Sequence, residues 1–248
     1  MKRSLSLIVL IVFSIFFTFF STMEISTKSK ANSKAKDQLA ARSGSARKGK
    51  YVVVIDPGHG GIDGGTSLNG LLEKDINLDI SLKIRNYLEQ DGFSVIMTRQ
   101  SDVSLENFSS IRGSRYIRDL TARVEKINNS GAEMFLSIHV NCHPRNPKAN
   151  GSIVFYDKKF IENKILASCI QKALNDMVVD GKKRAAHNPI IGDYFILRNS
   201  RIPGVIIETA FISNKTEWNL LKQDKFRDDI AKNIVIGVKQ YLKEMKGT

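Results

Sequence analysis

The chain has 248 residues, 42% of them hydrophobic and 25% charged, with a formal net charge of +13 and two cysteines. Ten Lys and Arg against two Asp and Glu fall within residues 1–50, so +8 of the charge sits there and the 28 basic and 23 acidic residues beyond carry only +5. A basic surface for nucleic acid is therefore not the reading of the high pI, and two thiols exclude a disulfide framework, leaving packing to supply stability, with Cys142 and Cys169 read as unpaired in preference to a single bridge.

Lys2 and Arg3 precede an almost unbroken Leu, Ile, Val and Phe run from Leu5 to Phe20. Residues 1–23 thus read as an export segment, a signal anchor in preference to a signal peptide because no clear small-x-small cleavage site follows. Residues 24–50, rich in Ser, Lys, Ala and Asn, read as a basic flexible tether suited to an anionic membrane surface or wall polymer. Residues 51–248 are of a size for one domain.

In that domain Tyr51 to Ile55 is a β-forming run without alternation, as in a strand covered on both faces, and it leads into a loop of five glycines around His59. Ile76, Ile80, Ile84, Tyr87 and Leu88 predict a helix over 75–90, ended by Gly92. Strands are expected at 93–98, 134–139, 151–156, 194–197 and 204–208, and helices at 118–129 and 161–178. Between them, 99–115 is a long polar loop of the kind that carries function, and 182–189 a basic loop. Asn214 with Glu217 resembles a helix-capping pair, and Ile230, Ile234, Val235, Val238, Tyr241 and Leu242 mark a C-terminal amphipathic helix. The fold class expected is α/β: a single layered domain with a mostly parallel, roughly six-stranded sheet flanked by helices.

Four reactive side chains fall at equivalent places in that plan. His59 lies past the first strand, Glu73 at the entrance to the first helix, His139 at the end of MFLSIH and Glu208 at the end of GVIIE. In open α/β sheets the carboxyl ends of the strands carry the chemistry. Each residue alone has a bland explanation, but a carboxylate closing a buried strand needs a cation or a donor. Together they point to a metal: two histidines and a carboxylate leave a fourth zinc position open, the pattern of a catalytic site. The second glutamate then serves as general base and acid. His143 is a rival ligand, but on an extended strand it would lie about 13 Å from His139, and the following Pro144 suggests a loop. His187 reads as exposed.

DPGHGG at 56–61, LLEKD at 71–75, MTR at 97–99, SIHVN at 137–141 and ETAFISN at 208–214 resemble the zinc-dependent N-acetylmuramoyl-L-alanine amidases of the Amidase_3 type, across essentially all of residues 51–248. The resemblance implies His59, Glu73 and His139 as ligands of one Zn2+ and Glu208 as the catalytic glutamate. It also implies the substrate, the amide between N-acetylmuramic acid and the L-alanine of the stem peptide in peptidoglycan. SSIRGSRYIRDLTARVEKIN, the hydrophobic N-terminus and the short tether are most similar to the spore-cortex subgroup, which implies the first step of muramic-δ-lactam formation, and hence germination. That subgroup places the chain on the extracytoplasmic face of a bacterial membrane, between the forespore membranes. Asn141, Arg198 and Arg99 are candidates for substrate binding. Control would fall to metal occupancy or to a regulatory partner protein. Rival readings are a non-catalytic wall-binding or regulatory module, another zinc hydrolase such as a carboxypeptidase, or a vegetative autolysin.

Overall fold

A computed structural model of the chain describes residues 51–247. The expected export segment 1–23 and the tether 24–50 lie outside the described residues. Among those described, no helix is long and apolar enough to cross a membrane.

In chain order the elements are β1 (Val52–Pro57), β2 (Ser67–Leu68), β3 (Leu71–Leu72), α1 (Glu73–Gln90), β4 (Ser94–Met97), α2 (Arg115–Asn128), β5 (Met134–Asn141) and β6 (Ile153–Tyr156). They are followed by α3 (Ile161–Asp176), β7 (Val178–Val179), β8 (Lys182–Lys183), β9 (Ile190–Ile191), α4 (Phe195–Asn199), β10 (Gly204–Phe211), α5 (Lys215–Leu221) and α6 (Asp224–Gly247). Six strands form one sheet in the order β4-β1-β5-β10-β6-β9. Its centre, β4, β1, β5 and β10, is parallel. β6 runs antiparallel to β10, and β9 parallel to β6, so the sheet is mixed.

The unalternating apolar run of β1 is explained by two cores. Val53 and Ile55 join Ile76, Ile80 and Ile84 of α1 and residues of α3 and α6 on one face. Val52 and Val54 join Val124 and Ile127 of α2 and Ile196 and Leu197 of α4 on the other. Ile80, Ile84 and Leu88 are fully buried, each worth about 1.5–3 kcal/mol of transfer. The helical phase of α1 therefore prevails over the strand-like alternation at its start.

Two expectations are corrected. The segment around 194–197, expected as a strand, forms the short helix α4: Ile196 and Leu197 reach the α2 side of the core by coiling, and a four-residue apolar run does not itself specify a strand. The edge of the sheet is taken instead by Ile190–Ile191, just after the basic loop. Asn214 does cap α5, its Oδ1 accepting from the amides of Thr216 and Glu217. The Glu217 carboxylate does not return to the cap; it accepts from the amides of Gly151 and Phe211 and pairs with Arg184. Cys142 and Cys169 are free thiols, as expected.

Candidate metal centre

β1, β5 and β10 bring the reactive residues to one end of the sheet. His59 follows β1 by two residues and sits in the left-handed region, with φ 59°, a conformation that costs a residue with a Cβ about 1–2 kcal/mol. Its Nδ1 meets Asp63 Oδ2 at 2.7 Å, and Asp63 Oδ1 accepts from the Gly65 amide. Glycine is required at two nearby points. A Cβ at Gly58 would enter the His139 ring, and one at Gly65 would lie 2.6 Å from Glu73 Oε2.

Glu73 is the first residue of α1 and only 4% exposed. Its Oε1 lies 3.2 Å from His59 Nε2 and 2.9 Å from His139 Nδ1, and accepts from the Val140 amide. Its Oε2 accepts from the Thr66 amide. The two imidazoles stand edge to face with centroids 5.0 Å apart. The triad offers one ligand atom each, all within 4.8 Å of one another, and is placed to chelate one metal ion. Two imidazole nitrogens and a carboxylate oxygen, with Asp63 fixing the far nitrogen of one ring, fit zinc.

The electrostatics agree with the geometry. Burial works against charge on His59, but the hydrogen bonds and charges of Glu73 and Asp63 outweigh it and hold its pKa at about 9. Burial likewise disfavours charge on Glu73, yet the hydrogen bonds from His139 and His59 hold its carboxyl well below the usual range. Glu208 lies opposite His139 in the β5–β10 register. Burial pushes its pKa up to about 7 against the pull of the histidines. Its Oε2 is shut off from solvent and has no hydrogen-bond partner among the described residues. His59, His139 and Glu208 line one cavity of about 620 Å³, together with Ile62, Tyr116 and Tyr194.

The three residues expected to bind substrate do not line this cavity. Asn141 ends β5 partly buried, its carbonyl accepting from the Ile212 amide. Arg198 is exposed and paired with Asp193. Arg99 is buried, and donates to the carbonyls of Pro57, Gly58, Lys74 and Ser101. The cations lining the cavity are Arg115 and Arg123. His143 is exposed outside the triad, whereas His187 is partly buried, its ring bonded to the Asn150 carbonyl. Sequence reasoning missed Asp63, although a carboxylate four residues beyond a candidate ligand in a glycine-rich loop was a usable signal. It also missed Arg115, Tyr116 and the buried Asp56–Arg123 pair, 2.8 Å apart. A long side chain on a helix face gives no sign of its partner.

The N-acetylmuramoyl-L-alanine amidase (Amidase_3) family matches residues 53–240. The chain belongs to this family. It is 38% identical over 194 residues to the germination-specific N-acetylmuramoyl-L-alanine amidase of Bacillus subtilis, covering 78% of this chain and 80% of that one. Among solved structures, it is similar to the CwlD amidase from Clostridioides difficile in complex with the GerS lipoprotein, with 39% identity and a TM-score of 0.70, over 78% of this chain and 99% of that chain. The N-acetylmuramoyl-L-alanine amidase of Clostridium difficile 630 is similar at 31% identity and a TM-score of 0.66, over 78% of this chain and 97% of that one. As a member of the amidase family, the chain hydrolyses muramoyl-alanine amides, and its His59–Glu73–His139 triad accounts for the zinc such an amidase uses.

Proposed function

We propose that this amidase acts in spore cortex maturation, that Glu208 is its catalytic base, and that residues 1–23 anchor it to the extracytoplasmic face of the membrane. The observation that carries the catalytic assignment is the Oε2 of Glu208, unpartnered among the described residues and in the same cavity as His59 and His139. A buried acceptor left without a donor costs roughly 1–3 kcal/mol, and such an expense is common where the group has chemistry to do.

His59, Glu73 and His139 would hold the zinc, which when bound would supply Lewis acidity to the scissile carbonyl and to the attacking water. Glu208 takes a proton from that water as the new C–O bond forms, then delivers it to the nitrogen as the C–N bond breaks. The products are the lactyl carboxylate of the glycan and a stem peptide with a free L-alanine amine. With its pKa near neutrality, Glu208 can hold and release that proton.

Similarity to a germination-specific amidase and to CwlD supports the spore role, and the complex of CwlD with a lipoprotein supports a regulatory partner protein for this chain. The direct test is mass spectrometry of peptidoglycan incubated with the zinc-loaded protein. Free peptides beginning with L-alanine are expected from the wild type. Glu208→Ala should keep zinc and lose activity by about 10²–10⁴-fold. Wild-type hydrolysis by that variant would remove Glu208 from the mechanism. Deletion from a sporulating host should abolish muramic-δ-lactam in the cortex; cortex of normal composition would move the role to the vegetative wall.

A further inference from the structure

We propose that Arg99 and Arg123 are positioning residues that clamp the His59 loop in its metal-ready conformation and thereby set zinc affinity, without ligating zinc. The inference rests on the zinc-amidase reading of the site. Where β1 ends, the chain passes through His59, Gly60 and Gly61 at φ of 59°, 136° and 57°. Carbonyls in such a loop leave the sheet ladder and need other donors.

The two guanidiniums supply them. Arg123 Nη1 donates to Pro57 O at 2.7 Å and Nη2 to His59 O at 2.7 Å. Arg99 Nε donates to Pro57 O at 3.0 Å and Nη2 to Gly58 O at 2.9 Å, with Asn77 adding a longer bond to Gly58 O. Three consecutive carbonyls, ending at that of the ligand His59, are thus held by two rigid forks. The same Arg99 Nη2 also donates to Lys74 O at 2.8 Å. Lys74 follows the ligand Glu73, so one nitrogen ties both ligand-bearing segments together and sets their spacing.

Each arginine is 2% exposed. Burying two neighbouring cations is costly. Arg123 is offset by Asp56 and Asp119, whereas among the described residues Arg99 has no ion pair and relies on carbonyls. A lysine could not reproduce this arrangement, because an ammonium is a compact charge on a flexible stem and a guanidinium presents five donors in a fixed plane. What the clamp achieves is to hold His59 in an otherwise disfavoured left-handed conformation before the metal arrives.

The test is zinc affinity of the full-length protein, measured by competition with a chromophoric chelator alongside the unfolding midpoint of each zinc-free form. Arg99→Lys keeps the charge and loses the fork. The double variant Asp56→Asn with Arg123→Gln removes both charges of the fully buried pair and leaves only the more exposed Asp119 without its partner. Each is expected to bind zinc about 10–100-fold more weakly, with kcat of Arg99→Lys recovering to within a few-fold of wild type once zinc saturates. Arg184→Lys is the comparison, because Arg184 is a partly buried arginine that grips Thr209 O instead of the His59 loop. It is expected to keep wild-type zinc affinity. If the double variant does not fold, Arg99→Lys decides the matter. Unchanged zinc affinity in folded Arg99→Lys, whatever its midpoint, would overturn the clamp, as would an equal loss in Arg184→Lys. Zinc binding without hydrolysis by the wild type would instead count against the amidase reading and leave the clamp standing.

Discussion

Glu73 and Glu208 belong to one site, yet their surroundings drive them in opposite directions. Glu73 is kept ionised by two imidazoles and suits a ligand; Glu208 Oε2 has no donor among the described residues, and burial raises the carboxyl pKa to about 7, which suits a proton carrier. The sign of the pH dependence follows. A base must be deprotonated, so kcat at saturating zinc should fall as pH drops through about 7 or, since zinc's charge lowers the pKa of Glu208, somewhat below it. A pH profile without an acidic limb anywhere between pH 5 and about 7 would contradict this. His59 behaves in the opposite sense. Its pKa without metal is raised from the ordinary 6.5 to about 9, so its contribution to stability is fully present below pH 6.5 and is lost as pH rises through about 9. Across that window the zinc-free protein should become less stable in thermal unfolding. Chelator competition should show zinc binding more tightly by up to about tenfold per pH unit, because a proton no longer has to be displaced.

The elements were legible in proportion to their length and period. Helices α1 and α6 and strands β1 and β5 are long or fully apolar, and the sequence places them well. α6 also shows what packing adds: a Cβ at Gly237 would lie 2.5 Å from the Ile170 backbone of α3. Gly237→Ala should therefore force the two helices apart and destabilise the fold by about 1–3 kcal/mol, despite the better helix propensity of alanine. Denaturant titration would measure this, and a stabilised variant would show that the interface yields more easily than its geometry implies. Segment 194–197 was misread because Ile196 and Leu197 satisfy either period, and only the place left for them beside α2 makes them helical. β9 is two residues long and owes its strand character to β6 alone.

At the scale of the whole molecule, the ligands come from segments as far apart as β1 and β5, and zinc should link them. Saturation at about 1,000 times the dissociation constant would add roughly 4 kcal/mol of stability, so a chelator should both abolish hydrolysis and lower the melting temperature. A melting temperature unmoved by chelation would mean that the triad does not hold the metal in the folded state. Residue chemistry at strand ends, read along the chain, was enough to assemble His59, Glu73, His139 and Glu208, because a parallel sheet brings its carboxyl ends to one edge by construction. The motifs 56–61, 71–75, 97–99, 137–141 and 208–214 were enough for the family. What the sequence determined by itself is therefore the fold class, the metal triad and the reaction. The tertiary structure alone decided the antiparallel turn of β6, the helical state of α4 and the make-up of the cavity. It also decided that Arg99 and Arg123 serve the loop backbone. The physical reason is that backbone period and local charge are written in neighbouring residues. The partner of a long flexible side chain, or of a two-residue strand, is settled only by what the rest of the chain packs beside it.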